Sequence, residues 1–283
     1  MVALRGVEMT GKSLTESGPL GRTVGALPCA GRVIYSLAIV ALGVETIVCA
    51  GVVAHPLGKQ YNLIPVIPWV PAIRWVAYLF GAIWVVCGAG LLVRKMEQRA
   101  ALTLGTVLFL CGLVLDLPKT IPVPASIGMR TIVFETLVIA SLAWLLPYRG
   151  ASPNWLTRVA RYVVAVSLIV FGVDHFLGLT FIAAIVPGWI PWHKFWVVFF
   201  GVGLIAAGVS IGLNLLQRWG AACAGLMFGI WVVTLHIPRV MGLLGIPGAP
   251  RDPDEYSSLL IAIALWGGLW ALTGRQKMDS SAP

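Results

Sequence analysis

Residues 69–120 return 120 positions later as residues 189–240, with no gap between the two stretches. Trp69 and Pro71 fall on Trp189 and Pro191, Arg74 on Lys194, and Gly81 and Gly88 on Gly201 and Gly208. Further on, Ala101 and Gly105 fall on Ala221 and Gly225, and Leu115-Asp116-Leu117-Pro118-Lys119 falls on Leu235-His236-Ile237-Pro238-Arg239. Repetition over this length implies one structural unit built twice, so any fold that suits one half must suit the other.

Composition identifies the solvent of that unit. The chain is 59% hydrophobic and only 11% charged, where soluble domains carry roughly 25% charged residues. It contains eight apolar runs, each close to the roughly 20 residues that a helix needs to cross a bilayer. A lipid-embedded barrel would need strict in/out alternation, and these runs are continuous. Helices alone then satisfy their backbone groups in hydrocarbon. The expected fold is all-α: an integral membrane protein of eight transmembrane helices, arranged as two parallel four-helix-bundle repeats. The lipid bilayer is the partner that composition demands. A net charge of +9 does not indicate nucleic acid, because the basic residues are scattered over short loops without a patch or stripe. Anionic headgroups account for them more simply. The five cysteines form no metal-ligand or redox spacing, and those inside apolar runs read as small core residues.

Punctuation by proline, glycine and charge divides the chain. Residues 1–31, rich in glycine, serine and threonine, are expected to form a disordered cytoplasmic tail. Residues 32–147 make the first four-helix repeat, 148–158 a linker, 159–273 the second repeat, and 274–283 a C-terminal tail. The third span is expected to end at Leu117, where Pro118 stops it. Of the 20 lysines and arginines, 13 fall on the side of the two termini and the linker and 7 on the other. That bias places both termini in the cytoplasm. With four spans per repeat, the two copies have the same orientation and are parallel.

The ionisable residues inside the spans are the candidates for function, because each costs a few kcal/mol on insertion and faces a bundle interior, a cavity or a partner. Glu45 follows Arg32 by 13 residues and Asp174 follows Arg161 by 13, which puts both carboxylates roughly 20 Å from the cytoplasmic end. Their contexts match, Gly43-Val44-Glu45 against Gly172-Val173-Asp174. Asp116 and His236 close the third and seventh spans, Glu135 lies in the fourth, and His175 follows Asp174. In one reading each bundle holds a polar ligand pocket opening to the outer leaflet. Glu45, Asp116 and Glu135 would converge near Arg74 or Lys119, and Asp174, His175 and His236 near Lys194 or Arg239. In the other, these groups are interhelical hydrogen bonds and ion pairs that hold the bundle together. A metal site at Asp174, His175 and His236 is disfavoured by their spacing and by the lack of histidines in the first repeat. Small residues at helical spacing, such as Gly208 and Gly212, read as helix-packing faces. Trp69, Trp75, Trp189, Trp192 and Trp196 read as an interfacial belt or as an aromatic wall for a quinone-like ligand.

Several of these elements resemble the DoxX-like superfamily of four-helix membrane proteins. Gly172-Val173-Asp174-His175-Phe176 is similar to its Gly-x-x-His-Phe-type element, and Val186-Pro187-Gly188-Trp189-Ile190-Pro191 to its outer proline loop. The helix bearing Gly201 and Gly208 resembles its glycine-rich second span, and Leu235-His236-Ile237-Pro238-Arg239 sits at the usual end of the third. The first repeat departs from the pattern, with Glu45-Thr46-Ile47 for Asp-His-Phe and Asp116 for the histidine. The resemblance implies a multi-pass protein of the bacterial inner membrane, associated with quinone-linked chemistry and serving a membrane redox partner protein. The expected function is an accessory component of a membrane redox assembly that binds a quinone or small lipophile in outer-leaflet pockets. The rival expectations are a small-molecule or ion transporter and a structural assembly protein without ligand.

Overall fold

The computed structural model describes residues 19–48, 74–147, 154–242 and 253–274. The expected tail up to residue 18, the loop 49–73 with Trp69, the linker 148–153, the loop 243–252 and the chain from 275 lie outside the described residues.

Eight helices are long and apolar enough to cross a membrane, and no strand occurs among the described residues. The protein is an all-α, multi-pass membrane protein. The helices are α1 (Pro19–Val48), α2 (Arg74–Leu92), α3 (Glu97–Cys111), α4 (Leu117–Thr120), α5 (Ile127–Leu145), α6 (Trp155–Leu177), α7 (Leu179–Ile185), α8 (His193–Gly212), α9 (Gln217–Trp231), α10 (Ile237–Val240) and α11 (Pro253–Leu272). The end of the bundle that carries the turns after α2 and α8 is called the linker face here, and the opposite end the loop face. Helix α1, described from Pro19, covers the later part of the segment expected to be a tail.

Prolines 118 and 238 do not stop their helices. Each follows a five-residue π-turn, Gly112–Asp116 or Val232–His236, and a further helical turn, α4 or α10, comes after it. A proline in a helix loses one amide donor and crowds the carbonyl four residues back. One extra residue per turn relieves that conflict: Leu117 N–H reaches back to the Gly112 carbonyl, and Ile237 N–H to that of Val232. The third and seventh spans therefore run to Thr120 and Val240, past the expected stop. The bounds of α3 and α9, of the two π-turns, and of α4 and α10 are each offset by 120 residues.

Packing follows from small residues. A Cβ on Gly43 would come within 2.6 Å of the Gly81 carbonyl oxygen, and one on Gly172 within 2.6 Å of that of Gly201. Helices α1 and α2, and likewise α6 and α8, thus touch backbone to backbone. Consecutive spans pack side by side, and the ring closes where α11 lies along α1. Helix α5 packs on α6 and also meets α11. The last span of each half is therefore seated against the first span of the other. Tyr35 of α1 belongs to the shared core, donating from its hydroxyl to the Ile139 carbonyl of α5 at 2.8 Å.

Candidate functional site

The interlocked ring sets the partners of the polar residues. Asp174, near the loop-face end of α6, is 3% exposed. It accepts from Arg130 of α5, from Nε at 3.1 Å and from Nη2. The third guanidinium nitrogen of Arg130 donates to the Pro124 carbonyl at 2.6 Å, and Asp174 Oδ2 has no hydrogen-bond partner. Glu45, at the matching place on α1, is half-buried and accepts from Ser257 of α11 at 2.9 Å. Each acid thus meets the last helix of the opposite half.

The remaining candidates spread along these seams. Asp116 closes the first π-turn and accepts from Thr136 of α5 at 3.0 Å. Glu135, half-buried on α5, is hydrogen-bonded to neither Glu45 nor Asp116. His175 is 5% exposed; its Nδ1 lies 2.7 Å from the Phe171 carbonyl, which assigns the proton there and leaves Nε2 buried without a partner. His236 closes the second π-turn with Nδ1 buried and unpartnered. Beside it, Arg239 is held by Glu255, with Nε donating to Oε2 at 2.7 Å. Neither expected triad is drawn together by hydrogen bonds. Lys194 is exposed, and the side chain of Arg74 lies outside the described residues. Among the described residues, no three His, Cys, Asp or Glu side chains could hold a metal ion.

Arg130 and Ser257 are the partners that the sequence reading missed. Arg130 left a signal: an arginine one turn into an apolar run needs an acid within reach, and Asp174 is one of the acids placed near that depth.

A second feature lies apart from these residues. Between α8 and α9 runs a cavity of about 960 Å³, roofed at the loop face by α7 and the segment from Val186 to Pro191. Its floor is made of small side chains, among them Gly203, Ala206, Ala207, Gly220 and Cys223. Aromatic rings, Trp189, Trp196, Phe199, Phe200 and Trp231, close its upper part. None of the six ionisable candidates lines it. His175 reaches its wall indirectly, with its ring centroid 5.1 Å from that of Trp231. At the places 120 residues earlier, Ile83 and Val86 stand where the groove has Gly203 and Ala206.

Comparison with protein-family models, with curated proteins and with solved structures returns no match.

Proposed function

We propose that this protein is a DoxX-like component of the bacterial inner membrane, with both termini cytoplasmic, that holds a quinone or a comparable small lipophile in the groove between α8 and α9. In this reading the unit was duplicated in tandem, and the second copy carries the ligand for a membrane redox partner protein. The observation that carries it is the cavity. Ligand sites occupy about 300–1,000 Å³ and are mostly apolar and aromatic with few polar groups, and the groove has that size and that lining. Glycine and alanine along its floor leave the room that Ile83 and Val86 would fill. Trp189 and Trp196, taken from the sequence as a possible aromatic wall, both line it.

The ionisable residues have a different role in this proposal. Asp174 with Arg130, and Glu45 with Ser257, are interhelical ties that hold one half to the other, which is the structural alternative for those side chains. The test is to purify the full chain in a mild detergent and identify retained small molecules by native mass spectrometry. Wild type should retain a lipophile that Gly203→Leu loses. Equal retention in both proteins would sink the assignment of the groove.

A further inference from the structure

Arg32 of α1 and Arg161 of α6 occupy matching places: each lies 13 residues before the acid of its helix, Glu45 or Asp174. In the first half the guanidinium is fully accommodated. Arg32 donates from Nε to the Leu91 carbonyl at 2.9 Å and pairs with Glu97 at 2.9 Å. Glu97 opens α3, and the residue 120 positions on, which opens α9, is Gln217. The carboxylate has been replaced by a neutral amide, while the arginine has been kept.

The consequence is visible at Arg161. The residue is 8% exposed, its Nε is buried without a hydrogen-bond partner, and no described acid forms a salt bridge with it. Its Cζ lies over the ring of Tyr162, 5.0 Å from the centroid. Gln217 is likewise 8% exposed. Arg218, the next residue, also has a buried Nε without a partner. A buried cation costs several kcal/mol unless an anion compensates it, so Arg161, buried with no salt bridge to a described acid, is left incomplete by the described chain.

We propose that Arg161, with Arg218 at the same end of the bundle, binds the headgroup phosphate of an anionic phospholipid at the linker face. Phosphate suits a guanidinium, which offers it parallel N–H donors. A lipid is favoured over a soluble anion because the flanking surface is apolar and open: Leu216 and Trp219 are both exposed beside Gln217 and Arg218. The acyl chains lie against these side chains while the phosphate meets the arginines. Leu216 and Trp219 also line the linker-face end of the groove, so the two sites adjoin; the arginines do not line it, and Gly203→Leu should leave the phosphate contact intact.

The experiment is thermal unfolding of the full chain in a neutral detergent, titrated with phosphatidylglycerol, phosphatidylcholine or inorganic phosphate. Phosphatidylglycerol should raise Tm, and the other two, at equal concentration, should not. Gln217→Glu restores the carboxylate seen in the first half and should raise Tm without lipid, while increasing the half-saturating phosphatidylglycerol concentration at least tenfold. Arg161→Gln should weaken the lipid response equally without the gain in Tm. Half-saturation within twofold of wild type in both variants would overturn the site. A matching shift with phosphatidylcholine would overturn the requirement for an anion, and one with inorganic phosphate would overturn the lipid as its source.

Discussion

In the first half the linker-face arginine is paired with an acid, and its counterpart in the second half forms no salt bridge with a described acid. Arg32 has Glu97, and the position 120 residues after Glu97 holds Gln217. Ile83 and Val86 occupy the places that Gly203 and Ala206 leave as the floor of a cavity. Cys111 stands where the second half has Trp231, a wall of that cavity packed on His175. The same span pattern thus supports two outcomes, set by a few side chains. In the proposed reading, the glycine and alanine make room for a ligand, the amide leaves its arginine for an anion outside the chain, and the second half is the one that binds.

Substitutions can break or sharpen that contrast. The largest effect is expected where the halves are tied. Asp174→Ala leaves Arg130 buried without its counter-charge and should cost about 3–5 kcal/mol, measured as reversible unfolding in detergent. Loss of less than about 1 kcal/mol would mean that the pair is screened and the tie weak. Glu97→Gln gives the first half the second half's arrangement and should cost about 2 kcal/mol by leaving Arg32 without its anion. If that variant also becomes sensitive to phosphatidylglycerol, the contrast at Gln217 is confirmed from the other side.

Gly203→Ile puts the first half's residue into the groove. A Cβ there would meet Met227 Cε at 2.8 Å, a flexible group that can yield, so the fold should survive. Lipophile retention should fall about tenfold, equivalent to about 1.4 kcal/mol, as read by mass spectrometry of the extracted complex. The smallest effect is expected for Ser257→Ala, which removes the Ser257 hydroxyl donated to Glu45 and should cost about 1 kcal/mol. A cost as large as that of Asp174→Ala would show that the two seams are tied equally.

Much of the fold was legible in the sequence because hydrophobic length and the 120-residue offset are local properties. They place eight spans and match α3 with α9 and the Gly81 helix with the Gly201 helix. The seating of the halves was not legible. A helix face that meets lipid and one that meets another helix are equally apolar, so nothing in α5 or α11 announces which first span it joins. The offset also drifts: Glu45 and Asp174 are 129 residues apart, and Trp144 and Trp270 are 126 apart, so an ungapped comparison loses the outer helices. The π-turns were hidden because Pro118 and Pro238 read as stops, whereas one extra residue per turn lets each helix continue. Grouping by repeat looked for the partners of each acid within one half, whereas Asp174 meets Arg130 and Glu45 meets Ser257 across the halves; Asp116 finds Thr136 within its own half. The groove left a signal in Trp189 and Trp196, read as an interfacial belt or an aromatic wall, but its floor is marked only by an absence of bulk at Gly203 and Ala206.

The most direct test of the crosswise seating is a double-mutant cycle on Arg130 and Asp174, using Arg130→Leu, Asp174→Leu and the pair, followed by unfolding in detergent. If α5 of the first half holds α6 of the second through these side chains, the coupling should be about 2 kcal/mol or more, with the double variant more stable than the sum of the singles predicts. Additivity within about 0.5 kcal/mol would contradict it.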